Sequence, residues 1–337
     1  MKKTSLLFII FFTSIVNAQE EKHFTNIQQI TFGGSNAEAY FSTDGKKFVY
    51  QATKNGFSCD QIFTMNVDGS ENQLVSTGKG RTTCGYFFPD GKRIVFASTH
   101  LASDSCPPPV DRSKGYVWGV YNSYDIFSAN ADGSDLKQLT TTYGYDAEAT
   151  ISPDGKTILF TSARDGDLEL YTMDADGTNQ KRLTFEKGYD GGAFFSADGK
   201  KIVYRAHHPT TKEDSTEGEN LLKMELVKPT QMEIFVMDID GTNKRQITNN
   251  GAANFAPFFT PDGKKIIFSS NVNNPKGYNF DLFLIDLNGK NLEQITFSPT
   301  FDGFPMFSPD GKKLVFVSGR NATKPHEFNI FVADWKD

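Results

Sequence analysis

The chain has 337 residues, of which 35 are Lys or Arg and 41 are Asp or Glu, giving a net charge of −6. An acidic balance without clusters of basic residues argues against nucleic acid and against an anionic membrane surface as a partner. The length is about twice that of an average domain.

Residues 1–18 have the pattern of a secretory signal peptide. Two lysines precede an apolar run, Leu6–Phe12, and Val16-Asn17-Ala18 supplies the small residues of a cleavage site. The alternative, a membrane anchor, is disfavoured because the run is too short to span a bilayer. No cysteine follows the run as a lipoprotein anchor would require, and no later segment resembles a transmembrane helix. We therefore expect a periplasmic or secreted protein whose mature chain, residues 19–337, forms one domain.

A short turn recurs along the rest of the chain and divides it into six repeats. In Ser152-Pro153-Asp154-Gly155 the proline presets φ, the aspartate tolerates the bridge region and the glycine takes a positive φ. β-branched and aromatic residues flank the turn, which predicts a β-hairpin. The turn aspartates lie 44 to 64 residues apart. The six copies end in Asp44-Gly45, Asp90-Gly91, Asp154-Gly155, Asp198-Gly199, Asp262-Gly263 and Asp310-Gly311.

A second turn follows each of the first five copies. Two hairpins per repeat make four short strands, and a repeat of about 40–45 residues with four strands predicts a β-propeller blade. The predicted fold class is all-β, a six-bladed β-propeller of four-stranded antiparallel blades. The two longest spacings predict loop insertions at residues 98–124 and 207–231. The second turns are Asp68-Gly69, Asp132-Gly133, Asp176-Gly177, Asp240-Gly241 and Asn288-Gly289.

The two ends of the chain predict how the ring closes. The sixth repeat stops after its third strand, Phe328–Ala333, whereas Asn26–Thr31 matches the fourth-strand pattern of Lys181–Thr184. The N-terminal strand should therefore join the last blade, which leaves no long unpaired edge.

The repeat pattern SPDGK-I-F-S, DIF-M-DADG-N and QLT resembles that of the TolB-like six-bladed propellers. The resemblance covers residues 24–335 and implies the same fold. It does not include the α/β domain that precedes the propeller in TolB, so a role in a Tol system is not expected. Because this fold hosts varied roles, the resemblance implies little about function.

In a four-stranded blade both short turns lie on one face, and both insertions lie on the opposite face, here called the insertion face. Long loops on a rigid scaffold are where binding residues usually sit. A short helix is predicted at Glu219–Val227, with Thr216 and Glu219 spaced as a capping box. The insertion residues expected to contact a ligand are His207, His208, Tyr116 and Trp118.

Polar residues recur where each innermost strand begins. Their oxygens could surround the mouth of the central channel and hold Ca²⁺ or another divalent cation, or bind a sugar or peptide by hydrogen bonds. The alternative is that each Asp or Asn only caps its own loop. The first set of positions is Asn36, Thr82, Asp146, Asp190, Asn254 and Asp302. The second set, two residues further on, is Glu38, Cys84, Glu148, Gly192, Ala256 and Phe304. The candidate ligand-binding residues among them are Asn36, Glu38, Asp146, Glu148, Asp190, Asn254 and Asp302.

Three cysteines, Cys59, Cys84 and Cys106, fall on the insertion face. An exported protein can form disulfides, so one bond is expected with its partners left open and one thiol left over. The alternative is three free thiols, because spacing alone cannot show proximity.

Motif searches weigh against most enzymatic functions. A serine hydrolase of the prolyl-oligopeptidase type requires Gly-x-Ser-x-Gly, and a dithiol redox protein requires Cys-x-x-Cys; neither motif occurs. A metal-assisted lyase or hydrolase acting on a polysaccharide or peptide at the channel is the alternative that remains. Its candidate residues are His100, His207, His208, Asp146, Glu148 and Asp190.

The leading interpretation is a non-catalytic binding propeller. We expect an exported monomer that holds a protein segment, peptide or glycan on its insertion face. No cofactor is expected beyond the divalent cation considered above.

Overall fold

A computed structural model describes residues 20–54 and 56–336. In this range the chain forms six four-stranded antiparallel sheets, one two-stranded sheet and one α-helix. The predicted all-β, six-bladed propeller is confirmed. The predicted signal peptide, residues 1–18, lies outside the described residues.

The strands are short and follow one another in a regular order. In chain order they are β1 (Phe24–Gln29), β2 (Ser35–Phe41), β3 (Lys47–Thr53), β4 (Gln61–Asn66), β5 (Gln73–Leu74), β6 (Thr82–Phe87), β7 (Arg93–Ser98), β8 (Trp118–Gly119), β9 (Asp125–Asn130), β10 (Lys137–Gln138), β11 (Asp146–Ile151), β12 (Thr157–Ser162), β13 (Glu169–Asp174), β14 (Lys181–Arg182), β15 (Tyr189–Phe195), β16 (Lys201–His207), β17 (Leu226–Val227), β18 (Glu233–Asp238), β19 (Arg245–Gln246), β20 (Asn254–Phe259), β21 (Lys265–Ser270), β22 (Asp281–Asp286), β23 (Glu293–Gln294), β24 (Asp302–Phe307), β25 (Lys313–Ser318) and β26 (Asn329–Trp335). From the innermost strand outward, blades 1 to 6 are β2-β3-β4-β5, β6-β7-β9-β10, β11-β12-β13-β14, β15-β16-β18-β19, β20-β21-β22-β23 and β24-β25-β26-β1.

The ring closes by pairing the first strand of the described chain with the last. β1 lies antiparallel to β26, with Phe24 opposite Trp335. The Ile330 N–H donates to the Thr31 hydroxyl at 2.9 Å. The predicted closure is confirmed, and the sixth blade gains its fourth strand.

The repeated sequence motifs hold each hairpin by the same hydrogen bonds. In the first turn of blade 3, Asp154 Oδ1 accepts from the Ser152 hydroxyl at 2.6 Å and from the Lys156 N–H at 3.1 Å. Gly155 takes a φ of 73° there, which glycine adopts without steric cost. A hydroxyl after each fourth strand accepts from a backbone N–H of the third strand. These hydroxyls belong to Thr31, Ser76, Thr140, Thr184, Thr248 and Thr296.

Aromatic rings fill the axis of the propeller below its mouth. Tyr40 of blade 1 and Phe194 of blade 4 have ring centroids 5.4 Å apart, although these blades stand on opposite sides of the ring. Tyr86 and Phe258 complete the layer, at 5.9 Å and 5.5 Å from Phe194. This aromatic layer gives the mouth of the channel a floor.

The two insertions fold together on the insertion face. β8 of the first insertion pairs antiparallel with β17 of the second, so that Trp118 lies opposite Val227. The helix α1 (Lys212–Leu222) precedes β17 and begins at Thr211, whose side chain caps the Asp214 N–H. The helix predicted at Glu219–Val227 was therefore wrong, because Thr211 rather than Thr216 starts the helix and its predicted end is a strand.

A disulfide attaches the first insertion to blade 1. Cys59 and Cys106 are bonded, with Cα atoms 6.0 Å apart, and Cys84 is the free thiol. This pairing resolves the alternatives that the spacing left open. Within residues 20–54 and 56–336, no helix is long and apolar enough to cross a membrane.

Candidate functional site

Every innermost strand contains a β-bulge, where its register against the second strand shifts. The bulge residue has a φ of 46–58° in all six blades, a conformation that is costly for residues other than glycine. In blades 1 to 3 the bulges bring the side chains of Glu38, Cys84 and Glu148 together. The Glu38 carboxyl is hydrogen-bonded to the Cys84 thiol and lies within electrostatic range of Glu148. The bulge residues are Glu38, Cys84, Glu148, Gly192, Ala256 and Phe304, the second set of the sequence analysis.

Arg205 of β16 fills the side of the mouth that Gly192 leaves open. A Cβ atom at Gly192 would overlap the Arg205 guanidinium, so the absence of a side chain makes room for it. The guanidinium donates to Glu148 and, at 2.7 Å, to the Tyr189 hydroxyl. It also lies 5.3 Å from the ring centroid of Trp118, a cation–π distance. The first insertion thereby contacts the channel wall directly.

Glu148 is fully engaged by the wall of the mouth. Besides Arg205, it accepts hydrogen bonds from the Thr161 hydroxyl at 2.7 Å, the Gly192 N–H at 2.9 Å and the Tyr189 hydroxyl at 3.0 Å. A buried ion pair is tolerated when its remaining lone pairs are satisfied in this way. The Glu148–Arg205 pair is thus a fixed part of the wall.

Glu38 differs from Glu148 because no Lys, Arg or His of the described residues lies within ion-pair distance of its carboxylate. Burial, together with the charge of Glu148, raises the pKa of Glu38 to about 7, while the hydrogen bond with Cys84 and the charge of Arg205 oppose the shift. Burial also raises the pKa of the Cys84 thiol well above its ordinary value. The mouth therefore combines one neutralised acid, one acid without a counter-ion and a protonated thiol.

The first set of polar residues is engaged by neighbouring strands and loops. All of these side chains are buried. Asp146 Oδ2 accepts from Arg164 at 2.8 Å, and Asp302 Oδ2 accepts from Arg320 at 2.9 Å. Burial nevertheless raises the pKa of both carboxyls. These two pairs fasten β11 and β24 to the loops that follow β12 and β25.

The other members of the first set are engaged in a similar way. Asp190 Oδ1 lies 3.0 Å from His208 Nε2. Asn254 accepts from the Ser270 hydroxyl at 2.8 Å, and Asn36 donates to the Phe328 carbonyl at 2.8 Å. None of these three contacts accepts from a neighbouring backbone N–H, so they differ from the loop capping that the sequence suggested as the alternative.

The predicted insertion residues separate into two groups. Trp118 lies at the mouth beside Arg205, and its indole N–H donates to the Tyr116 hydroxyl at 3.2 Å. His207 instead lies 3.0 Å from Asp214 Oδ2 of α1, and His208 contacts Asp190. The two histidines therefore have different partners, and neither contacts Arg205 within the described structure.

A second cavity, of about 170 Å³, lies between α1 and the loops of blades 3 and 4. Lys187 Nζ is 2.9 Å from Glu219 of α1 and ties the helix across it. Asp167 lines the cavity, and burial raises the pKa of its carboxyl. This cavity is separate from the Arg205 cluster except for Tyr189, which contributes to both.

Sequence reasoning missed Arg205, the residue that organises the mouth. The sequence does contain a signal for Arg205. When the second strands of the six blades are aligned at the residue that pairs just before the bulge, blade 4 has an arginine where the other blades have uncharged residues. The six residues are Gln51, Ala97, Thr161, Arg205, Ser269 and Val317. Gly192, the bulge residue of the same blade, is the second part of the pattern, because only a residue without a side chain leaves room for the arginine.

The donor set of the first-set acids does not suit a cation at the axis. Asp146 and Asp302 each face an arginine, so positive charge already occupies the neighbouring space. Across the described part of the chain, no three His, Cys, Asp or Glu side chains are grouped so that they could hold a metal ion.

Comparisons with known proteins agree with this architecture. The family model for the TolB beta propeller domain (PD40) matches residues 119–213. A TolB homolog of Chlorobium luteolum is 24% identical over 260 residues, covering 75% of this chain and 49% of the relative. A TolB homolog of Chlorobium chlorochromatii is 24% identical over 209 residues, covering 62% of this chain and 39% of the relative. The chain thus spans half or less of the length of these relatives.

Solved structures show the same fold. A TolB structure from Agrobacterium tumefaciens, described as putative, has a TM-score of 0.57 and 21% identity, covering 90% of this chain and 91% of that one. TolB from Acinetobacter baumannii has a TM-score of 0.57 and 20% identity, covering 89% of this chain and 64% of that one. An oligogalacturonate lyase from Vibrio parahaemolyticus has a TM-score of 0.54 at 12% identity, covering 91% of this chain and 93% of that one. At these identities the likeness is one of fold.

Proposed function

Because the chain is a TolB-like six-bladed β-propeller, we propose that it is an exported, monomeric binding protein. Its insertion face would hold an extended peptide or a protein segment. The relatives at this level of similarity are named as TolB homologs, and this chain matches only part of them. The proposal therefore depends on the surface of this propeller.

The distribution of exposed apolar side chains carries the proposal. The five most exposed large apolar side chains, each more than 60% exposed, all lie in loops of the insertion face. Loops on the opposite face contribute less exposed ones, of which Leu292 is 45% exposed. Exposed apolar residues gathered on one face mark an interaction surface. The five residues are Phe32, Leu101, Tyr143, Phe185 and Tyr278.

The mouth lies at the centre of this face and adds polar specificity. Trp118 and Arg205 stand on its wall, and the aromatic layer of Tyr40 and Phe194 closes it below. A site with aromatic walls and a few fixed polar groups suits the tip of a peptide side chain or a chain end. A glycan is the alternative that the sequence left open, and binding to a glycan array distinguishes it from a peptide.

Export is supported by the disulfide as well as by the predicted signal peptide at residues 1–18. The Cys59–Cys106 bond is of a kind that persists in oxidising compartments. We propose the periplasm or the extracellular space as the location.

The test is a binding screen against a displayed peptide library and a glycan array. Purified protein should select peptides, and Trp118→Ala should weaken their binding by about 30-fold, the effect of removing a central aromatic anchor of about 2 kcal/mol. Leu292→Ala, on the opposite face, is the matched control and should leave binding unchanged. Selection of glycans alone, or equal sensitivity to Leu292→Ala, would refute the proposal.

A further inference from the structure

We infer that the mouth of the channel recognises a positively charged nitrogen, an ammonium or guanidinium group, at the end of the bound segment. The Glu38 carboxylate and the hydroxyls of Tyr40 and Tyr145 would receive it. This inference rests on the proposed function and names the chemistry of the group that enters the mouth.

The charges of the mouth leave one negative charge uncompensated. Glu148 and Arg205 neutralise each other within the wall. Asp60 adds to the negative potential at Glu38, and its nearest cation, Arg81, is 3.9 Å from it. A single cation beside Glu38 would complete the charge balance, because a partly buried carboxylate is stabilised strongly by an opposite charge.

Two tyrosine hydroxyls provide an independent observation. Tyr40 and Tyr145 are 5% and 7% exposed, and neither hydroxyl has a hydrogen-bond partner among residues 20–54 and 56–336. Tyr40 is within electrostatic range of Glu38, Cys84 and Arg205, and Tyr145 is within range of Glu148 and Cys84. Neither hydroxyl is among the fully enclosed polar atoms without a partner, so both are open to water or to a ligand. Two free hydroxyls near the same charged residues therefore suit a group with several N–H donors.

The surrounding rings favour a cation of limited size. Tyr40, Tyr86 and Phe194 contact one another and form the floor. Aromatic faces attract ammonium and guanidinium groups, and the closed floor admits only the end of a chain or side chain. Arg205 repels a second cation on the blade 4 side, so the site suits one positive charge.

An anionic ligand is less compatible with these contacts. Arg205 is the cation of the mouth, and its guanidinium already donates to Glu148 and Tyr189. Both of these hydrogen bonds come from Nη2, and the neighbouring Glu148 carboxylate would repel a ligand carboxylate at the remaining donors of Arg205. An anionic probe is therefore not expected to bind at the mouth.

The experiment compares three probes that share a phenyl ring: phenethylammonium, phenethyl alcohol and 3-phenylpropionate. Calorimetric titration of the whole protein at pH 8 should detect phenethylammonium and not the other two. Glu38→Gln should weaken its binding at least tenfold, and Tyr145→Phe should weaken it about 2–10-fold, the loss of one hydrogen bond. Glu71→Gln changes an exposed glutamate outside the mouth and should leave binding unchanged. Thermal unfolding without probe shows whether each variant is folded.

The results separate this inference from the proposed function. If selected peptides need Trp118 but bind Glu38→Gln and wild type equally, the cation site is refuted and the proposed function stands. If no peptide binds while phenethylammonium still requires Glu38, the cation site stands and the proposed function fails. Binding of 3-phenylpropionate that requires Arg205 would overturn the inference in favour of an anion site. Probe binding that is unaffected by Glu38→Gln would overturn it as well.

Discussion

Glu38→Gln should stabilise the propeller above neutral pH and have little effect in acid. An unfolded glutamate loses its proton near pH 4.5, whereas burial raises the pKa of Glu38 in the folded protein to about 7. Between these values the folded state binds more protons than the unfolded state. The wild-type protein therefore loses stability as the pH rises from about 4.5 to about 7, and the loss is complete above that range.

The size of the effect follows from the two pKa values. A difference of roughly 2.5 units corresponds to about 3 kcal/mol as an upper value, at about 1.4 kcal/mol per unit. The carboxylate keeps partial access to solvent, which reduces the expected difference to about 1–3 kcal/mol. Glutamine has a similar shape and cannot ionise, so Glu38→Gln should be more stable than wild type by this amount at pH 8.

The assay is denaturant unfolding of wild type and variant at several pH values between 5 and 8. The difference in unfolding free energy should grow through this range. Glu71→Gln, an exposed substitution, should stay within about 0.5 kcal/mol of wild type throughout. A Glu38→Gln difference that is independent of pH would show that the carboxylate does not carry the proposed penalty.

Three further predictions concern the wall of the mouth and the disulfide. Gly192→Ala should lower the free energy of unfolding by more than about 2 kcal/mol in thermal unfolding, because the added Cβ overlaps Arg205. The control Gly251→Ala, also at a positive φ but with open space around it, should lower it by about 1 kcal/mol. Equal costs would contradict the assigned packing. Arg205→Met should cost about 3–5 kcal/mol by leaving Glu148 unpaired, and addition of Glu148→Gln should recover part of this in a double-mutant cycle. A thiol titration of protein denatured without reductant should find one free thiol, Cys84, and three after reduction. Reduction should also lower the unfolding free energy by about 4 kcal/mol, the value for a 47-residue loop. Three free thiols before reduction would refute the bond.

The blades could be predicted because their determinants are local. The turn at Asp154-Gly155 is specified by neighbouring residues, and Thr31 carries the same fourth-strand pattern as the other blades. Because the same turn motif recurs six times, the hairpin predicted from one copy could be assigned to all six blades. The position of α1 was harder to predict because several Ser and Thr residues near its start have cap chemistry, and only Thr211 is used.

The mouth could be predicted only in part. Glu38 and Glu148 were among the candidate residues, but so were Asp146 and Asp302, which are buried against arginines of their own blades. A bulge shifts the alternation of side chains along a strand and moves the following residue to another face, and its location cannot be read from spacing alone. Arg205 was missed because it matters only through the glycine at the bulge beside it.

The pairing of β8 with β17 has a consequence for protein engineering. These strands come from loops of blades 2 and 4, and each supplies the other's only sheet partner within the described chain. Transplanting one loop onto a different scaffold would leave a lone two-residue strand with unsatisfied backbone groups. The pair is therefore the smallest transferable unit, and any redesign of selectivity on this propeller has to exchange both segments at once.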